Sequence, residues 1–223
     1  MEKGSYQVLL TCRSQAKGEA AIANLQAKGH PGAIELIVMD VTDDSTIETA
    51  VRHVEITYGK LDILINNAAI AGPETPLRER MQAAFNANAT GPAVVTEAFY
   101  PLLKKATTSA ARIINVGNGG RMVARRLEPS AIGADIKHIP YRTSKCALQM
   151  VTACQVVEYK NDDIKVFMYS PGFTASNLRP GNTLEMGARP AADAVRPLVD
   201  IVEGRKDEYA GKNLGIDGTV LEW

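Results

Sequence analysis

The chain of 223 residues has little of what marks several common protein classes: three cysteines, three histidines, one tryptophan and no charge imbalance, with 25 Lys plus Arg against 25 Asp plus Glu. Cys12, Cys146 and Cys154 are odd in number and lack metal-ligand spacing, and the histidines are scattered. That argues against a disulfide frame and a zinc site and points to a reducing compartment. Without a run of like charge the chain offers nothing to nucleic acid or to an anionic membrane surface. No apolar run approaches the length of a membrane span, and MEKGSYQVLL lacks the apolar stretch and cleavage site of a secretion signal, so the expected location is cytoplasmic. There is no internal repeat, low-complexity tract or linker. Small molecules remain as the expected ligands.

What is present is an apolar content of 45 %, enough for one α/β domain over residues 1–223. Five short apolar runs, YQVLLTC (6–12), IELIVMDV (34–41), LDILINNA (61–68), RIINVG (112–117) and IKVFMYS (164–170), are continuous instead of alternating. Continuous runs suit parallel strands covered on both faces. Between them KGEAAIANLQAKG, STIETAVRHVEITYG, a stretch from about 77 to 105, and CALQMVTACQVVEYK carry helical spacing. The pattern predicts a doubly wound parallel sheet, with RPAADAVRPLVDIVEG adding a helix and LGIDGTVLEW an edge strand. GNGG (117–120) and the following RMVARR read as a loop, with Arg121, Arg125 and Arg126 on a solvated surface.

In IPYRTSKCAL, Tyr141 and Lys145 stand four apart at a helix start, hence on one face. A positive charge beside a phenol favours the phenolate and brings it within reach of neutral pH. A second such pair, Tyr100 and Lys104, reads as an ordinary helix end. Ligands of such a fold bind at the carboxyl ends of the strands, and only Tyr141 follows one of these ends directly.

The ordered series LTCRS, MDVTD, LDILINNAA, NATGP, RIINVG, YRTSK and SPGFTASNL resembles the classical short-chain dehydrogenase/reductase family over nearly the whole chain. The resemblance implies a Rossmann-like fold with Tyr141 as proton donor or acceptor at a carbonyl or carbinol. Lys145 would lower its pKa and touch the nicotinamide ribose, and Asn88 would anchor a proton-relay water. It also implies cofactor contacts: Arg13 at an NADP 2′-phosphate, Asp40 and Val41 at the adenine, Asn66 and Asn67 along the cleft, and Pro171, Gly172 and Ser176 beside the nicotinamide. Assembly through two long helices into a homodimer or homotetramer is implied as well.

Two departures shape the expectation. The family's first strand and glycine-rich turn have no counterpart, since residue 1 falls just before the family's second strand, and a pyrophosphate then lacks its cradle. The gap would leave YQVLLTC and LDILINNA with open edges, so they are expected to close on each other or to be covered by a partner subunit. Gly117 and Asn118 stand where the family has two serines, leaving the Asn118 amide as the donor to a substrate oxygen. The favoured reading is a cofactor-independent isomerase, cyclase, epimerase or dehydratase working on a polyketide-like or other oxygenated substrate through Tyr141, Lys145, Asn118 and Asn88. The alternatives are an NADP(H)-dependent carbonyl reductase and a noncatalytic small-molecule-binding relative.

Overall fold

The structure, a computed structural model, describes residues 6–29, 33–107, 110–119, 122–128 and 138–223, without the side chains of 122 and 125. They divide into two compact units, Met1–Gly59 and Lys60–Trp223.

In the first unit, strands β1 (Gln7–Cys12) and β2 (Ala33–Val38) pair in parallel, Gln7 opposite Ala33 and Cys12 opposite Val38. Helix α1 (Gln15–Ala27) connects them, capped by Ser14 Oγ, which accepts from the Lys17 amide. Gly18 lets α1 lie close to the sheet, because a Cβ there would fall 2.3 Å from Leu36 Cδ1. Helix α2 (Asp44–Tyr58) starts at Asp43, whose carboxylate accepts from the Ser45 amide at 3.0 Å, a common N-cap device. Further along α2, His53 and Tyr58 both hold Glu35 of β2.

The second unit is a five-stranded sheet in the order β3 (Ile63–Asn66), β4 (Ala111–Val116), β5 (Ile164–Ser170), β6 (Asn213–Gly215) and β7 (Val220–Leu221). The pairs from β3 to β6 are parallel; β7 turns back antiparallel. The tail therefore forms a hairpin where a single edge strand was expected. On one face Ile113, Ile164 and Val166 pack with Leu103, Tyr100, Val156 and Tyr159. On the other, Ile114, Phe167 and Tyr169 pack with Leu198, Ile201 and Val202 of helix α7 (Ala191–Val202). Burial on both faces is why these strands read as unbroken apolar runs. Arg112, 4 % exposed, is bound to Asp207 at 2.7 Å, which also takes Lys165 at 2.8 Å.

Two expectations are corrected. YQVLLTC does not close on LDILINNA: among the described residues the ladder of β1 is with β2, that of β3 is with β4, and the two lie in separate sheets. The α1 crossover gives β1 its parallel partner in β2 over all six residues. RMVARR is not a loop throughout, because Met122–Leu127 forms a short helix, α5; Arg121 lies outside the described residues and Arg126 is exposed. The stretch from 77 to 105 is helical as expected, α3 (Leu77–Phe85) and α4 (Gly91–Leu103) being joined by one wide π turn, Asn86–Thr90.

Candidate active site

Helix α6 (Ile139–Glu158) carries the tyrosine and the lysine. Pro140 suits its first turn, where an amide proton would have no helical acceptor anyway. Tyr141 follows on that turn and Lys145 one turn later, its Nζ 6.0 Å from the Tyr141 ring centroid. Lys145 is 2 % exposed and donates to the Val116 carbonyl at the end of β4, at 2.8 Å. Burial brings its pKa down from 10.5 to about 8.

Burial also dominates at Tyr141, where it pushes the phenol above its usual 10, while the Arg179 and Arg142 guanidiniums pull the other way. Tyr141 is thus a neutral donor at physiological pH, and the expectation that Lys145 lowers its pKa is corrected, because burial outweighs the nearby positive charge. His138, just before α6, is held below the ordinary imidazole value by burial, then by the same Arg179 and Arg142 charges. It is a neutral base three residues from a neutral acid.

The π turn places Asn88, which is fully buried. Its Oδ1 accepts from the Ile70 amide at 2.8 Å, and its Nδ2 donates to the Ile70 carbonyl at 2.8 Å and to Ser144 Oγ at 2.9 Å. Both amide hydrogens are consumed, so this side chain fastens the segment after β3 to the helix turn bearing Lys145, and a relay water would have to be held by other atoms. π turns gather at functional sites.

Asn118 sits between two fixed residues. The Gly117 amide donates to the Tyr169 carbonyl at 2.7 Å and the Gly119 amide to Ser170 Oγ at 3.0 Å. A Cβ on Gly117 would come within 2.2 Å of Met168 Cε. The first departure from the family's serine pair is therefore a packed glycine, with the methionine methyl in the space a side chain would need. Asn118 remains half-exposed at the strand end.

The expected cofactor residues divide. In the first unit Arg13 is exposed, Val41 half-buried, and the Asp40 carboxylate accepts from the Thr42 amide and hydroxyl at 2.9 and 2.7 Å. In the second unit Asn66 belongs to the interior: its Nδ2 donates to Thr96 Oγ1 and Asn115 Oδ1, and Asn115 donates in turn to Thr152 and Gln155. Its side chain is spent on tying β3, β4, α4 and α6 together, while Asn67 is exposed. Pro171 and Gly172 follow β5, Gly172 with φ 69°, and Ser176 Oγ accepts from Asn182 Nδ2 at 3.1 Å.

Lys145 and the Pro171 turn could receive the ribose end of a nicotinamide nucleotide. Paired phosphates find no cradle in the described turns after β1 and β4. The turn into α1 is Arg13–Ser14 without glycine, and the Gly119 amide is already committed to Ser170 while its carbonyl takes Gln149 Nε2. Among the described residues no group of three or more His, Cys, Asp or Glu could hold a metal.

Sequence reading missed Ser144, Arg142 and Arg179. Arg179 opens the β-turn Arg179–Pro180–Gly181–Asn182, closed by Asn182 N donating to Arg179 O at 3.0 Å; the Arg-Pro-Gly-Asn order is a turn signal that could have located it. The turn borders a cleft of about 650 Å³ lined by Ser176, Asn177, Arg179, Asn182, Thr183 and Leu184 among others. The second tyrosine and lysine pair is structural, as expected: Tyr100 stacks on Tyr159 at 4.9 Å, its hydroxyl donates to Asp162, and Lys104 lies over its ring. Cys154 is exposed.

The family model described as short chain dehydrogenase matches residues 1–186. The chain is 35 % identical over 226 residues to the short-chain dehydrogenase anuI of Penicillium roqueforti, covering 99 % of this chain and 88 % of that one. It is 31 % identical to the short-chain dehydrogenase/reductase tropE of Talaromyces stipitatus, covering 96 % and 87 %. Its fold is similar to that of the NADPH-bound carbonyl reductase from chicken fatty liver, with TM-score 0.78, 24 % identity and coverage of 100 % and 90 %. It is likewise similar to the carbonyl reductase Sniffer of D. melanogaster, with TM-score 0.79, 22 % identity and coverage of 100 % and 90 %. With its Tyr141 and Lys145 pair at the end of β4 and a family match over most of its length, the chain belongs to the short-chain dehydrogenase family.

Proposed function

We propose that this protein is an enzyme that moves protons at a carbonyl-bearing small molecule without hydride transfer, as in isomerisation, epimerisation, cyclisation or dehydration. The observation that carries the reading is a neutral acid and a neutral base at one helix start, Tyr141 held above and His138 held below their ordinary pKa values. The Tyr141 hydroxyl donates to the carbonyl oxygen and the Asn118 amide, just beyond β4, gives that oxygen a second hydrogen bond as negative charge builds there. His138 takes the proton from the neighbouring carbon. Lys145 places an ammonium 6.0 Å from the Tyr141 ring centre, and Asn88 keeps its helix turn in place.

A second reading, NADP(H)-dependent carbonyl reduction, is favoured by the buried Lys145 ammonium beside Tyr141 and by the likeness to fungal short-chain dehydrogenases. When bound, the nucleotide would supply the hydride; Lys145 and the Pro171 turn would hold its ribose end and Tyr141 would protonate the oxygen. Fluorescence titration with NADPH separates the two. The first reading expects no saturable binding below millimolar concentration, and a sub-millimolar dissociation constant moves the assignment to the second.

The setting is a cytoplasmic homodimer or homotetramer. Met150, Cys154 and Val157 form an exposed stripe along α6, and stripes of this kind favour self-association. Among the described residues no helix is long and apolar enough to cross a membrane.

A further inference from the structure

We infer that the substrate carries a carboxylate, and that Arg179 on its β-turn is the group that binds it. The inference rests on the proposed chemistry at Tyr141 only in supposing that one ligand spans both places. The argument begins with the turn. Pro180 at its second position presets the backbone, and the closing hydrogen bond fixes the residue before it. Asn182, 8 % exposed, anchors the turn from within: its carbonyl accepts from the Ser176 amide at 3.0 Å and its Nδ2 donates to Ser176 Oγ at 3.1 Å. Asn182 ties the turn to the Ser176 segment in this way, and Arg179 stands on the rim of an open cleft of about 650 Å³. That volume is within the range of small-ligand sites.

Among the described residues the charges that act on Tyr141 and His138 are those of Arg179 and Arg142, both positive. The cleft holds one acid, Glu185, which is exposed and bound by Thr183. Among the described residues Arg179 has no carboxylate partner. A planar guanidinium at the edge of a cleft, beside a phenol and an imidazole that are both neutral, suits bidentate binding of a carboxylate. The rest of the ligand would then reach toward Tyr141.

The test compares binding of 4-acetylbenzoate with that of its neutral analogue 4-methylacetophenone, by calorimetry on the full chain. Wild type should bind the carboxylate ~10-fold more tightly, the usual scale of one charge-assisted contact. The preference should shrink with added salt, vanish in Arg179→Gln and partly survive in Arg179→Lys, with folding checked by near-ultraviolet circular dichroism. Equal affinities in wild type, failure of both ligands to bind at millimolar concentration, or a preference undiminished in Arg179→Gln would overturn the assignment. Tyr141→Phe should keep the carboxylate preference. Binding lost with chemistry intact therefore counts against the arginine, and chemistry absent with binding intact counts against the proton-transfer reading.

Discussion

At the scale of single residues, Lys145 works against the fold it sits in. The unfolded chain keeps this proton up to about 10.5, the folded one releases it near 8. Between those values the unfolded state binds more protons, so stability rises with pH through that window, and below pH 8 the full cost of burying the ammonium is present. The gap corresponds to about 3 kcal/mol. Lys145→Met removes the charge but orphans the Val116 carbonyl, a loss of about 1 kcal/mol. The variant should therefore be more stable than wild type by about 2 kcal/mol at pH 7, and the advantage should fade from pH 8 upward. Urea denaturation of both proteins across pH 6.5 to 9.5 checks the sign and the trend. A residue that destabilises its own protein in this way is a mark of a working site.

At the scale of elements, Asn88 and its π turn join three pieces of chain, and the connection is made entirely by one amide. Asn88→Ala leaves the Ile70 amide and carbonyl and Ser144 Oγ short of a partner in a buried place. The expected cost is about 2–4 kcal/mol, read as a lower denaturation midpoint. Amide exchange should speed up at Ile70 ahead of the β4 and β5 strands, because the tie holds the segment after β3 and not the sheet. Exchange that rises equally across all strands would show global loosening instead.

The same element shows what sequence could and could not convey. The five apolar runs marked the first five strands to within a few residues; for β4 and β5 the reason is burial on both faces, while β1 and β2 keep apolar residues that stay half-exposed or exposed. The π turn left no such mark: Asn86–Thr90 keeps right-handed helical backbone at both ends, and its consequence is the direction of one side chain. Tyr141 and Lys145 were legible because a fixed spacing on a helix implies a shared face. Arg179 was not, because its nearness to Tyr141 arises from a turn 38 positions later in the chain. Asn66 misled for the opposite reason, its neighbours suggesting a cleft while its partners Thr96 and Asn115 take it inward.

At the scale of the whole molecule, the apolar stripe of α6 leaves the described chain with surface that a second copy would cover. Met150→Glu together with Val157→Glu should convert a dimer or tetramer to monomer in analytical ultracentrifugation while leaving the circular dichroism spectrum unchanged, since both side chains are exposed. An unchanged sedimentation coefficient would place the contact elsewhere. The three scales meet at α6, where the first turn holds the acid, the second the buried ammonium, and the outer face the stripe.

The most direct test of the central claim, proton transfer by Tyr141 without hydride, is deuterium exchange at the methyl group of 4-acetylbenzoate in D₂O, followed by NMR with no nucleotide present. The account predicts exchange above the uncatalysed rate in wild type and none above it in Tyr141→Phe. Exchange unaffected by that substitution, or chemistry that starts only when NADPH is added, would contradict it.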